Sequence, residues 1–288
     1  TPACERFGRH DAATVLDLRL VVHAELARRD QRLEYHFTAF GQKGLRYSPG
    51  NFTVDIKPVS NNGTLQVELG CEVASAAIHF TTDGTMPTAL SPRYTAAIAI
   101  NNTQTLKAVS IYNGKIMNHI PAEQTFVMHK ATGATVSYVF PAAKAYPASG
   151  PNTLTDGVRG KTSISKNWHG FNKNDLVATI DLGTVTAVNE ITIGCIQSYR
   201  EWVFLPKSVK FEVSADGVTF TEVSYVGNDI PATVTAVIQK DFTARFVSVP
   251  VRYVRVTTYT LDQCPKGHPG EGKPGWVFAD EVIINNSN

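Results

Sequence analysis

Apolar positions follow a helical period only near the start of the chain. Val15, Leu18, Val22 and Leu26 recur at helical spacing, Leu33, Phe37 and Phe40 extend the stripe, and neither proline nor glycine interrupts residues 11–40. Asp11 offers an N-cap, and Gly41 and Gly44 offer stops. The pattern predicts one or two amphipathic helices that need a partner surface. From Phe52 to His129 the pattern changes to short alternating runs divided by Asn61-Asn62-Gly63, Asp83-Gly84, Asn101-Asn102 and Asn113-Gly114. Turn signals at this spacing, with no helical period between them, predict a β-sandwich, and Asp83 reads as a turn former rather than a catalytic carboxylate. Strand-like alternation continues from Ala131 to the end.

Composition narrows the function classes. With 288 residues, 43% apolar, 18% charged and a net charge of +2, the chain can bury the cores of two domains and lacks the basic excess of a nucleic-acid binder. No apolar run reaches the roughly 18 residues needed to span a bilayer. The chain opens at Thr1-Pro2-Ala3, so it reads as a fragment or a mature product whose leader lies elsewhere. Cys4, Cys71, Cys195 and Cys264 lie far apart and form no C-x-x-C pair, which argues against zinc and thioredoxin-like chemistry and leaves disulfides open. Cys195, in the run Ile191 to Ile196, reads as a buried small hydrophobe.

The run from Ile78 to Thr88, with Ser91-Pro92-Arg93-Tyr94, Thr105 to Val109 and Asn113-Gly114-Lys115, resembles the immunoglobulin-like domain behind the catalytic barrel of bacterial chitobiases and β-N-acetylhexosaminidases. Lys43 to Phe52 resembles the exit of that barrel. Further on, Leu154-Thr155-Asp156-Gly157, Trp168-His169-Gly170-Phe171, Val177 to Gly183, Phe211 to Gly217, Ala244-Arg245, Tyr253 to Val256 and Trp276 to Val282 follow in order. That set resembles the discoidin, or coagulation-factor type C, domain, in the form carried by Bacteroides-type polysaccharide-degrading enzymes. The fold expected is mainly β: a helical remnant of a barrel (1–47), an immunoglobulin-like β-sandwich (48–130) and a discoidin-like β-sandwich jelly roll (131–288).

The resemblance also implies a chemistry. Hexosaminidases use an adjacent Asp-Glu pair, whereas the adjacent pair here, Asp280-Glu281, leads into Val282-Ile283-Ile284 and reads as the start of a terminal strand. A barrel needs about 250 residues and only about 50 precede the β-pattern, so no catalytic residue is assigned and the chain by itself is expected not to be an enzyme. Discoidin-like domains often hold a structural Ca²⁺. Asp156 and Glu281 match its carboxylate positions, with carbonyls near Arg159 and Lys161 and a hydroxyl from Thr162 or Ser163 to complete the sphere. Sugars need aromatic faces and directional donors, and His169, Asn172, Tyr199, Arg200, Trp202 and Trp276 supply both within three loop segments. Trp168, Trp202 and Trp276 stand in motif positions that read first as core or loop-bracing residues. The expected role is glycan binding, to a terminal hexose or N-acetylhexosamine, by the non-catalytic C-terminal part of a β-N-acetylhexosaminidase. The partners are then glycans and the enzyme's own barrel, with no nucleic acid and no membrane insertion, at a periplasmic, outer-surface or secreted location. A structural buttress for the barrel, or a protein- or lipid-binding discoidin module, are the competing readings.

Overall fold

Alternation in short segments becomes strand wherever it has a neighbour to pair with. The computed structural model describes residues 49–61, 63–118, 120–164 and 167–285. The helical segment expected over 1–47 lies outside the described residues. In the first unit, β1 (Asp55–Asn61), β2 (Thr64–Gly70) and β4 (Ile98–Ile100) form one antiparallel sheet in the order β1-β2-β4. The facing sheet holds β3 (Ala77–Thr81), β5 (Gln104–Tyr112), β6 (Lys115–Ile116) and β7 (Ala122–Phe126), with β5 paired to the other three. The period of two on β2 sends Leu65, Val67 and Leu69 inward, where they meet Ile78, Ile100, Leu106, Ala108 and Phe126. Asn113 (φ 49°) and Gly114 (φ 73°) both adopt positive φ between Tyr112 and Lys115, the geometry of a two-residue hairpin turn. Asp83 forms a turn: its Oδ1 accepts from the Thr85 N–H (3.0 Å) and hydroxyl (2.6 Å).

The second unit has one continuous seven-stranded ladder. It comprises β8 (Thr135–Tyr138), β9 (His169–Asn172), β10 (Leu176–Gln197), β11 (Ser208–Ser214), β12 (Thr221–Gly227), β13 (Ile238–Tyr259) and β14 (Trp276–Ile284), in the order β12-β11-β13-β10-β14-β9 with β8 also on β10. β10 and β13 are each 22 residues long and pair along their whole length, broken by register shifts between Asp181 and Thr186 and between Val188 and Glu190. The ribbon bends at these bulges. Its first half pairs with β8 and β11 in one layer, and its second half with β14 in the other. Leu176, Ile180, Ile191, Ile193, Phe211, Phe242, Val254 and Val282 fill the space between the layers, and Cys195 is buried with them. Cys71, Cys195 and Cys264 are free thiols.

The two units touch backbone to backbone. The Val127 N–H donates to Gly157 O (2.8 Å), and Val158 inserts into the core of the first unit. Gly157 has φ +73°, and a Cβ there would sit 2.9 Å from Val127 O, so the junction admits no side chain at this position.

Candidate functional site

Register decides which way the sequence-predicted ligand residues point. β9 and β14 are antiparallel, with Trp276 opposite Asn172, Phe278 opposite Gly170 and Ala279 opposite His169. Parity therefore sends Asn172, Gly170, Trp276 and Phe278 to the outer face, and His169 and Phe171 into the sandwich. His169 is 3% exposed, rests between Tyr138 (ring centroids 5.2 Å) and Phe171 (5.3 Å), and burial lowers its pKa to about 4. This corrects the expectation that His169 meets ligand. Asn172 donates its amide to Gly275 O (2.9 Å) and so braces the loop before β14. Trp276 packs edge-on against Tyr146 (5.1 Å) and Phe278 (6.0 Å). Behind them Trp168, Ile196, Val203 and Phe278 form a small separate core, with the Trp168 Nε1 donating to Lys161 O (2.8 Å). Trp168 and Trp276 hold the loops together.

Tyr199, Arg200 and Trp202 come together. They occupy a single helical turn, Tyr199–Glu201, that closes on Trp202 in the left-handed conformation (φ 64°). The turn rests on His268, whose Nδ1 accepts the Gly270 N–H (2.9 Å), which leaves the proton on Nε2 to donate to Tyr199 O (2.8 Å). The Tyr199 ring stands edge-on to His268 at 4.4 Å. Gly270 presses on the Trp202 ring, where a Cβ would come within 2.6 Å, and the Lys273 ammonium lies 5.8 Å from the ring centre. Arg200 is exposed and has no partner among the described residues. The patch thus offers an immobilised half-buried indole near the Lys273 ammonium, with the exposed Arg200 in the same turn.

Asp156 and Glu281 also meet, at the junction of the two units. The Glu281 Oε1 accepts from Gly157 N–H (3.1 Å) and His129 Nε2 (2.8 Å). The His129 Nδ1 accepts the Ala131 N–H (3.2 Å), so its proton sits on Nε2 and the imidazole is neutral. Burial, reinforced by the Arg159 charge, lowers the His129 pKa to about 3. Asp156 bonds the Ser149 hydroxyl and the Val158 N–H (2.9 Å). Burial and then Glu281 push Asp156 well above the usual carboxylate range, and burial does the same to Glu281.

The donor set suits calcium in part. Two hard carboxylates and the buried Glu281 Oε2, which has no hydrogen-bond partner, suit such a cation. The Lys161 carbonyl accepts the Trp168 Nε1 proton with one of its two lone pairs. Among the described residues no group of three or more His, Cys, Asp or Glu is arranged as a metal site. Asp280, on the opposite face of β14, is spent on Arg159 Nε (2.8 Å) and the N–H groups of Gly160 (2.9 Å) and Glu281 (2.6 Å).

With this geometry in place, comparison with known proteins bears on both units. Residues 133–263 match the family model for the F5/8 type C domain. Over these residues the second unit is similar to that domain. Residues 58–120 match the model for the chitobiase/beta-hexosaminidase C-terminal domain. No curated protein matches the chain. Among solved structures, chitosan-binding module 1 from a chitosanase/glucanase of Paenibacillus sp. IK-5 is similar at 16% identity and TM-score 0.37, over 55% of this chain and 98% of that one. CpGH89CBM32-5 from Clostridium perfringens, in complex with GalNAc-beta-1,3-galactose, is similar at 16% identity and TM-score 0.34, over 53% and 94%. A Ruminococcus gnavus GH29 fucosidase in complex with fucose is similar at 18% identity and TM-score 0.36, over 56% and 27%.

His268 lies in the Pro/Gly-rich loop from Cys264 to Trp276, which the sequence marks as a third candidate ligand loop with Lys266 and Lys273, and here it braces Tyr199. One residue that shapes the outer face of the second unit, Tyr146, is not among those predicted from sequence. Tyr146 has no local signal at all, because its place beside Trp276 and Phe278 is set by the Ala143 and Tyr146 backbone bonds to Gly170 (2.8 and 3.1 Å).

Proposed function

We propose that the chain is the non-catalytic C-terminal part of a β-N-acetylhexosaminidase, whose F5/8 type C domain binds glycans at the Tyr199–Arg200–Trp202 patch. The observation that carries this reading is the exposed, unpartnered Arg200 in the same turn as an indole held by Gly270, with the Lys273 ammonium 5.8 Å from its ring centre. The indole gives a sugar an apolar face, and the guanidinium gives adjacent hydroxyls or a sugar carboxylate a planar fork of donors. A shallow single-sugar site of this kind binds near millimolar, or about −4 kcal/mol. Tethering to an active site raises the effective substrate concentration there. The reading carries an extracytoplasmic location with it, periplasmic, outer-surface or secreted, where polymeric glycans are met.

A glycan array of the full chain, followed by titration of the best hit against Arg200→Ala, tests the site. Loss of a charge-assisted bond should weaken binding by about ten- to a hundredfold. Equal binding by the variant would remove Arg200 from the site, and a blank array would favour a structural role beside the barrel.

The same reading assigns a structural Ca²⁺ to Asp156 and Glu281, with the Glu281 Oε2 as its free oxygen. Thermal melts of the full chain in calcium and in chelator should then differ, with saturating calcium adding about 3 kcal/mol at a hundredfold excess over Kd. Glu281→Gln should abolish that difference. Identical melts would leave the two carboxyls as a pair held by protons and N–H donors alone.

A further inference from the structure

The cleft between the two β-units is separate from the Arg200 patch. Its volume is about 580 Å³, within the roughly 300–1,000 Å³ usual for small-molecule sites, which favour domain interfaces. One wall is the edge strand β1 with part of β7, and the other is the loop Ala145–Ser149 with Lys161, Ile164, Asn167 and Trp168. Ile56, Tyr146 and Trp168 make its floor apolar. Tyr146 is half-buried and fixed by Trp276 and Phe278, so it presents a rigid ring. Above the floor, the side chains of Asp55 and Lys57 on one wall and of Lys161 and Asn167 on the other have no partner among the described residues. Glu123, at the same rim, is already paired with Lys107 (3.3 Å).

We propose that this cleft is a second glycan-binding site, which takes an uncharged oligosaccharide lying across both units. The polar groups are donors and acceptors of both signs, spread along an open apolar floor. That mixture matches a ligand with many hydroxyls and C–H faces and no net charge. An extended peptide is disfavoured because Pro58 has no N–H to offer and Asp55 and Lys57 guard the β1 edge. The balance of signs disfavours a polyanion. Because each wall belongs to a different unit, ligand bound here also ties the units together, which the loops of the second unit alone cannot do. The inference goes beyond the Arg200 site and stands without it.

The test is calorimetric titration of the full chain with N,N′-diacetylchitobiose, lactose and cellotriose, in an Arg200→Ala background. Two sets of changes are compared: Asp55→Ala with Lys161→Ala, which removes polar groups from exposed positions, and Ala145→Trp, which fills the cleft from an exposed position. Saturable binding that persists in Arg200→Ala and falls at least tenfold with both sets, at unchanged melting temperature, supports the cleft. Binding unaffected by Ala145→Trp overturns it. Absence of binding in the Arg200→Ala background also overturns it. So does hydrogen-exchange protection of the β1 edge in the free full chain, because the cleft is then already filled by preceding chain or a second copy. If Arg200→Ala changes nothing while Ala145→Trp abolishes binding, the Arg200 reading fails and the cleft stands.

Discussion

Replacing Trp168 with alanine is expected to destabilise the chain by about 3–5 kcal/mol, the usual range for removing a fully packed indole. The ring is 2% exposed and packs against Ile196, Val203 and Phe278. Gly160 lies so close above it that a Cβ there would fall 2.2 Å from the indole Cε2, so the ring and the Gly160 backbone are in direct contact. Truncation would open a cavity in a cluster of only a few side chains, where little can move in to fill it. It would also free the Lys161 carbonyl, which now accepts the Nε1 proton at 2.8 Å. Trp168→Phe should cost less, because it keeps part of the packing and loses the hydrogen bond, and the pair of variants separates the two contributions. Urea denaturation at constant slope measures both. A loss under about 1 kcal/mol for the alanine variant, together with weakened glycan binding, would instead make Trp168 a ligand-stacking residue.

Much of the first unit is legible because its signals are local. The alternation of Leu65, Val67 and Leu69 on β2 and the Asn113-Gly114 turn each depend on a few neighbouring residues, and both appear as read. The second unit hides more. One of its two longest strands, β10, reads in sequence as separate pieces, Val177 to Gly183 and Ile191 to Ile196. A bulge at Gly183 (φ +77°) looks like a chain-reversing turn when the partner strand is not visible. Motif position singles out Asp156 and Glu281, but not the histidine bonded to Glu281. His129 and Glu281 lie 152 residues apart, and nothing near His129 marks it as the proton donor to a carboxylate in the other unit. The direction of His169 was misread for a related reason. A four-residue strand has no parity of its own, and the face each side chain takes is imposed by pairing with β14.

That misreading has a measurable consequence, because a buried histidine costs stability in acid and a solvated one does not. Burial lowers the His169 pKa to about 4 in the folded chain, whereas an unfolded histidine titrates near about 6.5. Below that value the unfolded state binds the proton more readily. Stability from this group is therefore complete above about pH 6.5 and is lost progressively as the pH falls toward about 4. The full difference amounts to roughly 3 kcal/mol, of which about 2 kcal/mol should be gone at pH 5. His169→Phe keeps an aromatic ring between Tyr138 and Phe171 and removes the titration, so it should lose about 2 kcal/mol less than wild type between pH 7 and pH 5. His129 and the buried carboxylates titrate in both proteins, so the comparison cancels them to the extent that they do not couple to position 169. Equal losses in the two proteins would mean that His169 is solvated and free to meet a sugar. The expected inequality fixes it as a core residue, packed between Tyr138 and Phe171.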